Sequence, residues 1–292
     1  MTYSIVARDP ATGELGVAVQ SHWFSVGSLV TWARPGAGAV ATQAIGRAAY
    51  GPRGLELMAG GMGAADALAA AISEDPDRAI RQVAMIDAHG AAAAFTGERC
   101  IGDAGDVQDD EVSCQANLMA RPGVPEAMLE AFVWQSGPLA ARMLSALRAA
   151  QAAGGDLRGR QSAALLVVPG SGEPWQTTVS LRVEDAPEPL DELARLLALH
   201  DAYHAAGAGD EAAAEGDADA AARHYRRARE LAPDQPELRF WAALGLARVG
   251  EDEAALRELR AIVDEDPAWR ELLTRLPAEL APSAAGLLRR LQ

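Results

Sequence analysis

The sequence contains no lysine, so arginine supplies all 26 of its basic side chains. The absence of lysine excludes Schiff-base catalysis, a Walker-type phosphate loop and activation of a nucleophile by a lysine amine. Acidic residues outnumber basic ones, and the formal net charge is -15 at pH 7. Because a surface of that charge repels polyanions, we expect neither nucleic acid nor an anionic membrane as a partner.

Cysteine is also scarce, since Cys100 and Cys114 are the two cysteines of a 292-residue chain. Their spacing matches neither a disulfide framework nor a four-ligand zinc site, so reduced thiols are expected, with no metal and no cofactor. No segment approaches 18 consecutive apolar residues, and the first residues lack the regions of a secretory signal. The sequence therefore predicts a soluble, cytoplasmic protein.

The first residues that follow Met1 alternate polar and apolar side chains, a pattern typical of a half-buried strand. Removal of Met1 would leave Thr2 with a free α-amine next to its own hydroxyl. That amine has a pKa of about 7.7–8.0 and can accept the hydroxyl proton near neutral pH. Thr2 is therefore a candidate nucleophile that carries its own base. The alternative interpretation is a small residue that simply follows the initiator methionine.

Residues 1–186 mix strand and helix patterns, which predicts an α+β domain. Helical spacing of apolar residues predicts helices at 52–60, 63–73, 125–135 and 138–152. Alternation and turn residues predict strands at 3–8, 14–20, 38–43, 82–87, 91–96, 112–118, 161–168 and 175–183. This order of elements favours sheets that are covered by helices on their outer faces.

Residues 187–292 are rich in alanine, leucine, arginine and acids, which predicts an all-α domain. A repeat of 34 residues relates the pairs Gly216/Gly250, Asp217/Glu251, Ala221/Ala255, Tyr225/Leu259 and Pro233/Pro267. These pairs resemble tetratricopeptide repeats, in which glycine closes the turn between two helices and alanine lets them approach. This short module has two possible roles. It is either a packing or dimerising appendage or a groove for a protein partner.

A second candidate functional segment, Gly-Gly-Asp-Leu-Arg-Gly-Arg-Gln-Ser-Ala-Ala, occupies residues 154–164. Its glycines allow close backbone approach, and Arg158 or Arg160 can bind a substrate carboxylate through two parallel hydrogen bonds. Asp156 can fix an arginine or orient an amine. The other polar candidates for substrate binding are Gln161 and Ser162. The alternative interpretation is a helix cap and turn with an internal Asp–Arg pair.

Two further features are expected to be structural. The acidic residues between 103 and 111 lack the ligand pattern and turn glycine of an EF-hand, so a solvated loop is expected. The aromatic residues Trp23, Phe24 and Trp32 are expected in the core rather than at a dimer face, because large aromatic side chains are mostly buried.

Five segments carry a more specific signal. They are Thr-Tyr-Ser-Ile-Val-Ala-Arg-Asp at 2–9, Gly-Val-Ala-Val-Gln-Ser at 16–21, Gly-Ala-Val-Ala-Thr-Gln at 38–43, Tyr-Gly-Pro-Arg-Gly-Leu at 50–55, and residues 154–166. Together they resemble the domain-of-unknown-function family numbered 1028, over about residues 1–185. The resemblance implies the N-terminal nucleophile hydrolase fold, a four-layer α-β-β-α sandwich whose first strand presents the nucleophile, here Thr2. It also implies that an extra C-terminal module is common.

The resemblance brings no defined reaction, but enzymes of this fold attack an amide carbonyl with the freed N-terminal side chain. On that basis Asn117 is a candidate oxyanion donor, while Thr42 and Gln43 are candidates to line the site. We expect an amidohydrolase that acts on a small-molecule amide or peptide, with Arg158 or Arg160 holding a substrate carboxylate and Asp156 orienting the arginine. The alternatives are a non-catalytic binding protein that uses the same cleft or the helical module, and a structural dimer. A homo-oligomer is expected.

Overall fold

The computed structural model of the protein describes residues 2–279 and 281–291. The predicted cleavage after Met1 therefore involves a residue that lies outside the described ones. The chain forms two compact units, the first of which ends at Ala194 and the second of which begins at Arg195. The sequence composition changes slightly earlier, after residue 186.

The first unit contains both strands and helices. Its strands are β1 (Thr2–Arg8), β2 (Leu15–Ser21), β3 (Thr31–Arg34), β4 (Gly38–Ala44), β5 (Arg81–Asp87), β6 (Ala92–Thr96), β7 (Gly105–Asp109), β8 (Val112–Asn117), β9 (Ser162–Val168) and β10 (Val179–Val183). Its helices are α1 (Gly27–Val30), α2 (Tyr50–Ala59), α3 (Ala64–Ser73), α4 (Val124–Trp134) and α5 (Leu139–Ala152). The elements predicted from periodicity are confirmed, each within a few residues of its predicted bounds.

The strands form two antiparallel sheets that face each other. The larger sheet has the order β10-β9-β2-β1-β8-β7 and the smaller one the order β3-β4-β5-β6. Helices α4 and α5 cover the outer face of the larger sheet, and α2 and α3 cover the smaller one. An apolar core that includes Val6, Val17, Ala41 and Ile86 fills the space between the sheets. The α+β fold with four layers, α-β-β-α, is therefore confirmed.

The alternation along β1 decides which way its side chains point. Ser4 bonds to Gln43 of β4 and Val6 joins the core between the sheets, whereas the Tyr3 hydroxyl donates to Gln151 of α5 on the outer face. Because successive side chains of a strand point to opposite faces, Thr2 lies on the same face as Ser4 and Val6. The Thr2 side chain is thus directed between the two sheets.

Two sequence-based expectations were wrong. The acidic stretch after residue 103 is not a loop throughout, because Gly105–Asp109 forms β7 and pairs with β8. Polar residues there suit an edge strand, which needs no apolar alternation. Trp23 and Phe24 are 56% and 63% exposed rather than in the core. They lie in the turn that follows β2, where the backbone has left the sheet.

The second unit is all-α, as predicted. Its helices are the greater part of α6 (Pro189–Glu215), followed by α7 (Ala218–Leu231), α8 (Pro236–Arg248), α9 (Asp252–Glu265), α10 (Ala268–Arg275) and α11 (Ala284–Arg290). Gly216 separates α6 from α7 and Gly250 separates α8 from α9, both with a positive φ that favours glycine. Phe240 and Leu259 lie in the main apolar cluster of this unit.

The described residues also show the state of the cysteines, the grouping of possible metal ligands and the character of the helices. Both cysteines are free thiols, and burial raises the pKa of the Cys114 thiol. Within residues 2–279 and 281–291, no group of three or more His, Cys, Asp or Glu side chains is placed to hold a metal ion. None of the described helices combines the length and apolar character that crossing a membrane requires.

Candidate active site

A cavity of about 370 Å³ opens where β1 begins and where β2 and β4 end. The described residues that line it are Thr2, Ser21, Trp23, Val26, Leu29, Val30, Thr42, Gln43, Ala44, Ile45, Gly46 and Ala48. Strands β1 and β4, from the two facing sheets, thus bring together Thr2, Thr42 and Gln43 from the sequence-predicted set. We refer to this space as the Thr2 cavity.

Thr2 is 5% exposed, and its hydroxyl lies 3.1 Å from the hydroxyl of Ser21. Ser21 is the last residue of β2, and the pairing of Tyr3 with Gln20 brings the start of β1 next to it. The Thr2 hydroxyl is therefore held at the cavity wall by its hydrogen bond to the Ser21 hydroxyl. A threonine hydroxyl in this position is available to a molecule that enters the cavity.

Two side-chain amides hold the backbone of Thr2. Gln43 Nε2 and Asn117 Nδ2 lie 3.3 and 3.4 Å from the Thr2 carbonyl oxygen, to which both donate. The same amide groups donate to Gln82 Oε1, at 2.7 Å from Gln43 and 2.9 Å from Asn117. Gln82 is fully buried and donates in turn to the Ala116 carbonyl. One oxygen of Gln82 therefore sets the orientation of both amides that contact Thr2.

The other end of the Gln43 amide is fixed as well. Ser4 Oγ donates to Gln43 Oε1 at 2.7 Å, and Gln115 Nε2 donates to Ser4 Oγ at 2.6 Å. Ser113 Oγ completes the chain by donating to Gln115 Oε1 at 3.2 Å. All of these side chains are buried. Because buried amides are costly to leave unpaired, the chain of bonds allows one orientation of the Gln43 amide, with its nitrogen toward Thr2.

Asp156 binds the backbone next to the cavity. Its side chain is fully buried, and Oδ2 accepts a hydrogen bond of 3.0 Å from the backbone N–H of His22. The same carboxylate pairs with the Arg158 guanidinium, whose Nη2 lies 3.0 Å from Oδ2, and accepts the Arg158 backbone N–H. His22 follows Ser21 directly. Asp156 therefore fixes the chain at the end of β2. Its pairing with Arg158 is the internal Asp–Arg pair that the sequence analysis gave as an alternative.

Ser162 supports the same stretch from β9. Its hydroxyl donates to the Trp23 carbonyl at 2.5 Å and accepts the Val26 backbone N–H at 3.1 Å. Trp23 and Val26 both line the Thr2 cavity. Ser162 thus acts on the cavity through the backbone of its wall, and it is not itself a lining residue.

Arg160 and Gln161 are directed elsewhere. Arg160 pairs with Glu188, and the Gln161 side-chain amide donates to Asp185 at 3.1 Å. Arg160 and Glu188 border a separate depression on the helical side of the larger sheet. The structure therefore separates the sequence-predicted substrate-binding set: Thr42 and Gln43 line the cavity, Ser162 supports it, and Arg160 lines a different surface.

Another part of the cavity wall is the turn of residues 44–48. Ala44 adopts a φ of 69°, a left-handed conformation that is uncommon for alanine. Arg81 Nη1 donates to the Ile45 carbonyl at 2.5 Å, and the Ile45 N–H donates to the Ile80 carbonyl at 3.3 Å. The start of β5 thus holds a strained turn against the cavity.

A buried carboxylate anchors Arg81 in turn. Asp75 lies 2.9 Å from Arg81 Nε and accepts the Tyr50 hydroxyl at 3.0 Å. Burial alone would raise the pKa of Asp75, but hydrogen bonds from Arg81, the Asp77 backbone and Tyr50 lower the pKa to about 2. Burial and the bond to Asp75 raise the pKa of Tyr50 to about 12. Asp75 is therefore ionised at neutral pH and ties the cavity turn to α2.

Sequence reasoning missed Ser21, Gln82 and Trp23 as members of the site. Gln82 had a weak signal, since it is a polar residue in a strand whose next residues, Val83 to Ile86, are apolar. Ser21 is the last residue of β2 and lies on the same face of the strand as Val17 and Val19. Its contact with Thr2 follows once β1 and β2 are known to pair antiparallel.

The comparisons agree with the fold of the first unit. The sequence profile of the family described as a family of unknown function, DUF1028, matches residues 2–193. The chain is also similar to the crystal structure of protein SPO2555 from Silicibacter pomeroyi, which is described under the same family. The sequences are 35% identical, and the match covers 67% of this chain and 87% of that chain with a TM-score of 0.62. No curated protein matches the chain.

Proposed function

Because this chain belongs to DUF1028, a family of unknown function, we propose its activity from the chemistry of its own cavity. We propose an N-terminal nucleophile hydrolase that cleaves a small amide with the Thr2 hydroxyl. The observation that carries the proposal is the position of that hydroxyl. It belongs to the first strand, faces a cavity of about 370 Å³ and lies 3.1 Å from a second hydroxyl, Ser21.

The proposed reaction requires prior hydrolysis of the Met1–Thr2 peptide bond by water, which releases methionine and leaves Thr2 with a free α-amine. The freed α-amine, with a pKa of about 7.7–8.0, takes the proton of the Thr2 hydroxyl. Thr2 Oγ1 then forms a bond to the amide carbonyl carbon of the substrate. The carbon–nitrogen bond breaks, and the leaving amine takes the proton from the α-ammonium group. Water hydrolyses the remaining ester, which releases the acid and restores the hydroxyl.

Gln43 and Asn117 are assigned positioning roles. Each donates to the Thr2 carbonyl, so they fix the backbone that carries the nucleophile and its amine. The two N–H groups of Asn117 have acceptors in Thr2 and Gln82, which favours positioning over the oxyanion role that the sequence suggested.

The test is amide turnover by processed protein and by two Thr2 variants. Wild type should hydrolyse a member of a panel of small amides, Thr2→Ser should retain measurable turnover, and Thr2→Ala should lose it. Thr12→Ala, in the exposed turn between β1 and β2, is the matched control and should match wild type. Equal turnover by Thr2→Ala and wild type would reject the nucleophile.

A binding protein without catalysis is the second candidate, and one observation favours it. In the encoded chain the Thr2 nitrogen is part of the peptide bond to Met1, so it is not a base until that bond is cut. If Met1 is retained, the cavity offers binding alone. Ligand binding without turnover in wild type, and equal binding by Thr2→Ala, would support this candidate.

For the second unit we propose a tetratricopeptide-like pair of helical hairpins, α6/α7 and α8/α9. The support comes from equivalent positions 34 residues apart. Ala221 and Ala255 are fully buried where the helices approach, and Tyr225 and Leu259 are buried one turn later. A substitution of Ala221 or Ala255 by Leu should separate the paired helices and lower the stability of the unit.

A further inference from the structure

The Thr2 cavity has a distinctive chemical lining. None of its described lining residues is charged, although almost a quarter of the chain is Asp, Glu or Arg. The polar members are grouped around the nucleophile and consist of Thr2, Ser21, Thr42 and Gln43. The remaining side chains are apolar and come from the turn after β2, from α1 and from the turn after β4. The cavity is therefore polar at one end and apolar elsewhere.

The apolar surface continues from the interior to the opening. Val26 and Val30 are buried, at 2% and 5% exposure. Trp23, Leu29 and Ile45 are 56%, 46% and 53% exposed and yet line the same cavity. Large apolar side chains that stay exposed around a concave site mark a surface that binds an apolar group. Here they continue the apolar path from solvent to the nucleophile.

The polar groups of the cavity are already engaged with the protein. The Gln43 amide bonds to Ser4, Gln82 and the Thr2 carbonyl, and the Thr42 hydroxyl donates to the Arg47 carbonyl at 3.2 Å. Apart from the proposed α-amine of Thr2, the described lining residues offer no cation, so a substrate carboxylate at the apolar end of this space would be buried without a charged partner, which is strongly unfavourable.

The neighbouring guanidinium groups are also engaged. Arg47 lies between two lining residues, but its guanidinium is 3.5 Å from Asp75. Arg158 pairs with Asp156 and Arg160 pairs with Glu188. A carboxylate clamp from these arginines would require ion pairs of the resting structure to break. The electrostatics thus favour an uncharged substrate over a charged one.

We infer that the Thr2 cavity recognises the uncharged, apolar acyl chain of its substrate, and that it excludes amides whose acyl chain carries a carboxylate. The naming of the substrate as an amide rests on the proposed function, whereas the preference for an apolar, uncharged chain rests on the lining alone. The amide carbonyl lies next to Thr2 and the chain runs along Val26 and Val30 toward Leu29 and Ile45.

The experiment measures binding to the full-length Thr2→Ala protein by titration calorimetry, so that no turnover is needed. The probes are propanamide, butanamide, hexanamide and the monoamide of adipic acid, which carries a carboxylate in place of the terminal methyl group of hexanamide. Each added methylene should tighten Kd by up to about fourfold, equivalent to about 0.8 kcal/mol. The adipic monoamide should bind at least tenfold more weakly than hexanamide.

Two variants, each made in the Thr2→Ala protein, locate the effect. Leu29→Arg should weaken hexanamide at least tenfold and reduce the discrimination against the carboxylate, because it places a cation at the cavity opening. Leu157→Arg is the control, since Leu157 is 63% exposed and does not line the cavity. It should leave all four affinities unchanged. Equal effects of the two variants would overturn the assignment to this cavity.

The outcomes separate this inference from the proposed function. Affinity that is independent of chain length, tighter binding of the carboxylate probe, or no binding of any amide would overturn the inference. Chain-length-dependent binding to Thr2→Ala, with no hydrolysis of hexanamide by processed wild type, would reject the proposed function and support the inference. Hydrolysis that favours carboxylate-bearing amides would support the proposed function and reject the inference.

Discussion

The Thr2 hydroxyl and the Ser21 hydroxyl lie 3.1 Å apart, and the two residues come from neighbouring strands that the chain joins by a short turn. The first β-hairpin of the protein therefore brings a candidate nucleophile and its polar neighbour together. A hydroxyl at this distance can orient the Thr2 oxygen toward the cavity. The relationship depends on strand pairing alone and needs no loop rearrangement.

Ser21→Ala tests that relationship. A neutral hydrogen bond contributes about 1 kcal/mol, so the variant should remain folded and lose at most about that much stability. If Ser21 orients the nucleophile, kcat should fall about tenfold while KM changes little. Ser28→Ala, an exposed serine in α1 that does not line the cavity, is the control. An unchanged kcat in Ser21→Ala would show that the contact has no role in turnover.

Gln82 should be important for both stability and the site. Gln82→Ala removes the acceptor of two buried amides and leaves a small cavity, so the free energy of unfolding should fall by about 3 kcal/mol. Urea unfolding measures this loss. Gln108→Ala, on the exposed edge strand β7, should change stability by less than about 0.5 kcal/mol. Similar losses in both variants would contradict the role of the buried amide chain.

The charge of Asp75 should make part of the stability depend on pH. Its pKa is about 2 in the folded protein and about 3.9 in an unfolded chain, so the carboxylate stabilises the fold fully above about pH 4. That contribution is lost as the pH falls toward 2. Asp75→Asn should therefore be less stable than wild type at pH 7 by about 2 kcal/mol. The difference should shrink between pH 4 and 2 in denaturant titrations, and a constant difference would contradict the prediction.

Asp156→Ala should disturb the end of β2. The variant removes the acceptor for the His22 backbone and leaves Arg158 without this partner, which should lower stability by about 3 kcal/mol. Hydrogen exchange at the amides of His22 and Trp23 should accelerate. Asp185→Ala, on the exposed surface next to Gln161, is the control. Unchanged exchange at His22 in Asp156→Ala would show that the carboxylate does not hold this segment.

Strands with a regular alternation of side chains could be predicted from the sequence. Strands that are very short or unusual in composition could not. β1 was predictable because polar and apolar residues alternate from Thr2 onward, and the inward direction of Thr2 follows from the same period. β3 is four residues long and ends just before Pro35, so its pattern is too short to recognise. β7 is acidic and lacks apolar alternation, which an edge strand tolerates.

The candidate site was predictable only in part, because its contacts link distant segments. Thr42 and Gln43 line the Thr2 cavity, and Gln82 bonds to Gln43 of its own sheet and to Asn117 of the other sheet. Arg158 and Arg160 are two residues apart, yet one binds Asp156 and the other binds Glu188. No local pattern determines which acid each arginine meets, since that depends on how helices and sheets pack.

The intact mass of the purified chain, made without a tag before Met1, shows whether Thr2 can act as a nucleophile with its own base. The expected mass lacks Met1, so that Thr2 carries a free amine beside its hydroxyl. Complete retention of Met1 would contradict it, because Thr2 would then have no amine to act as its base.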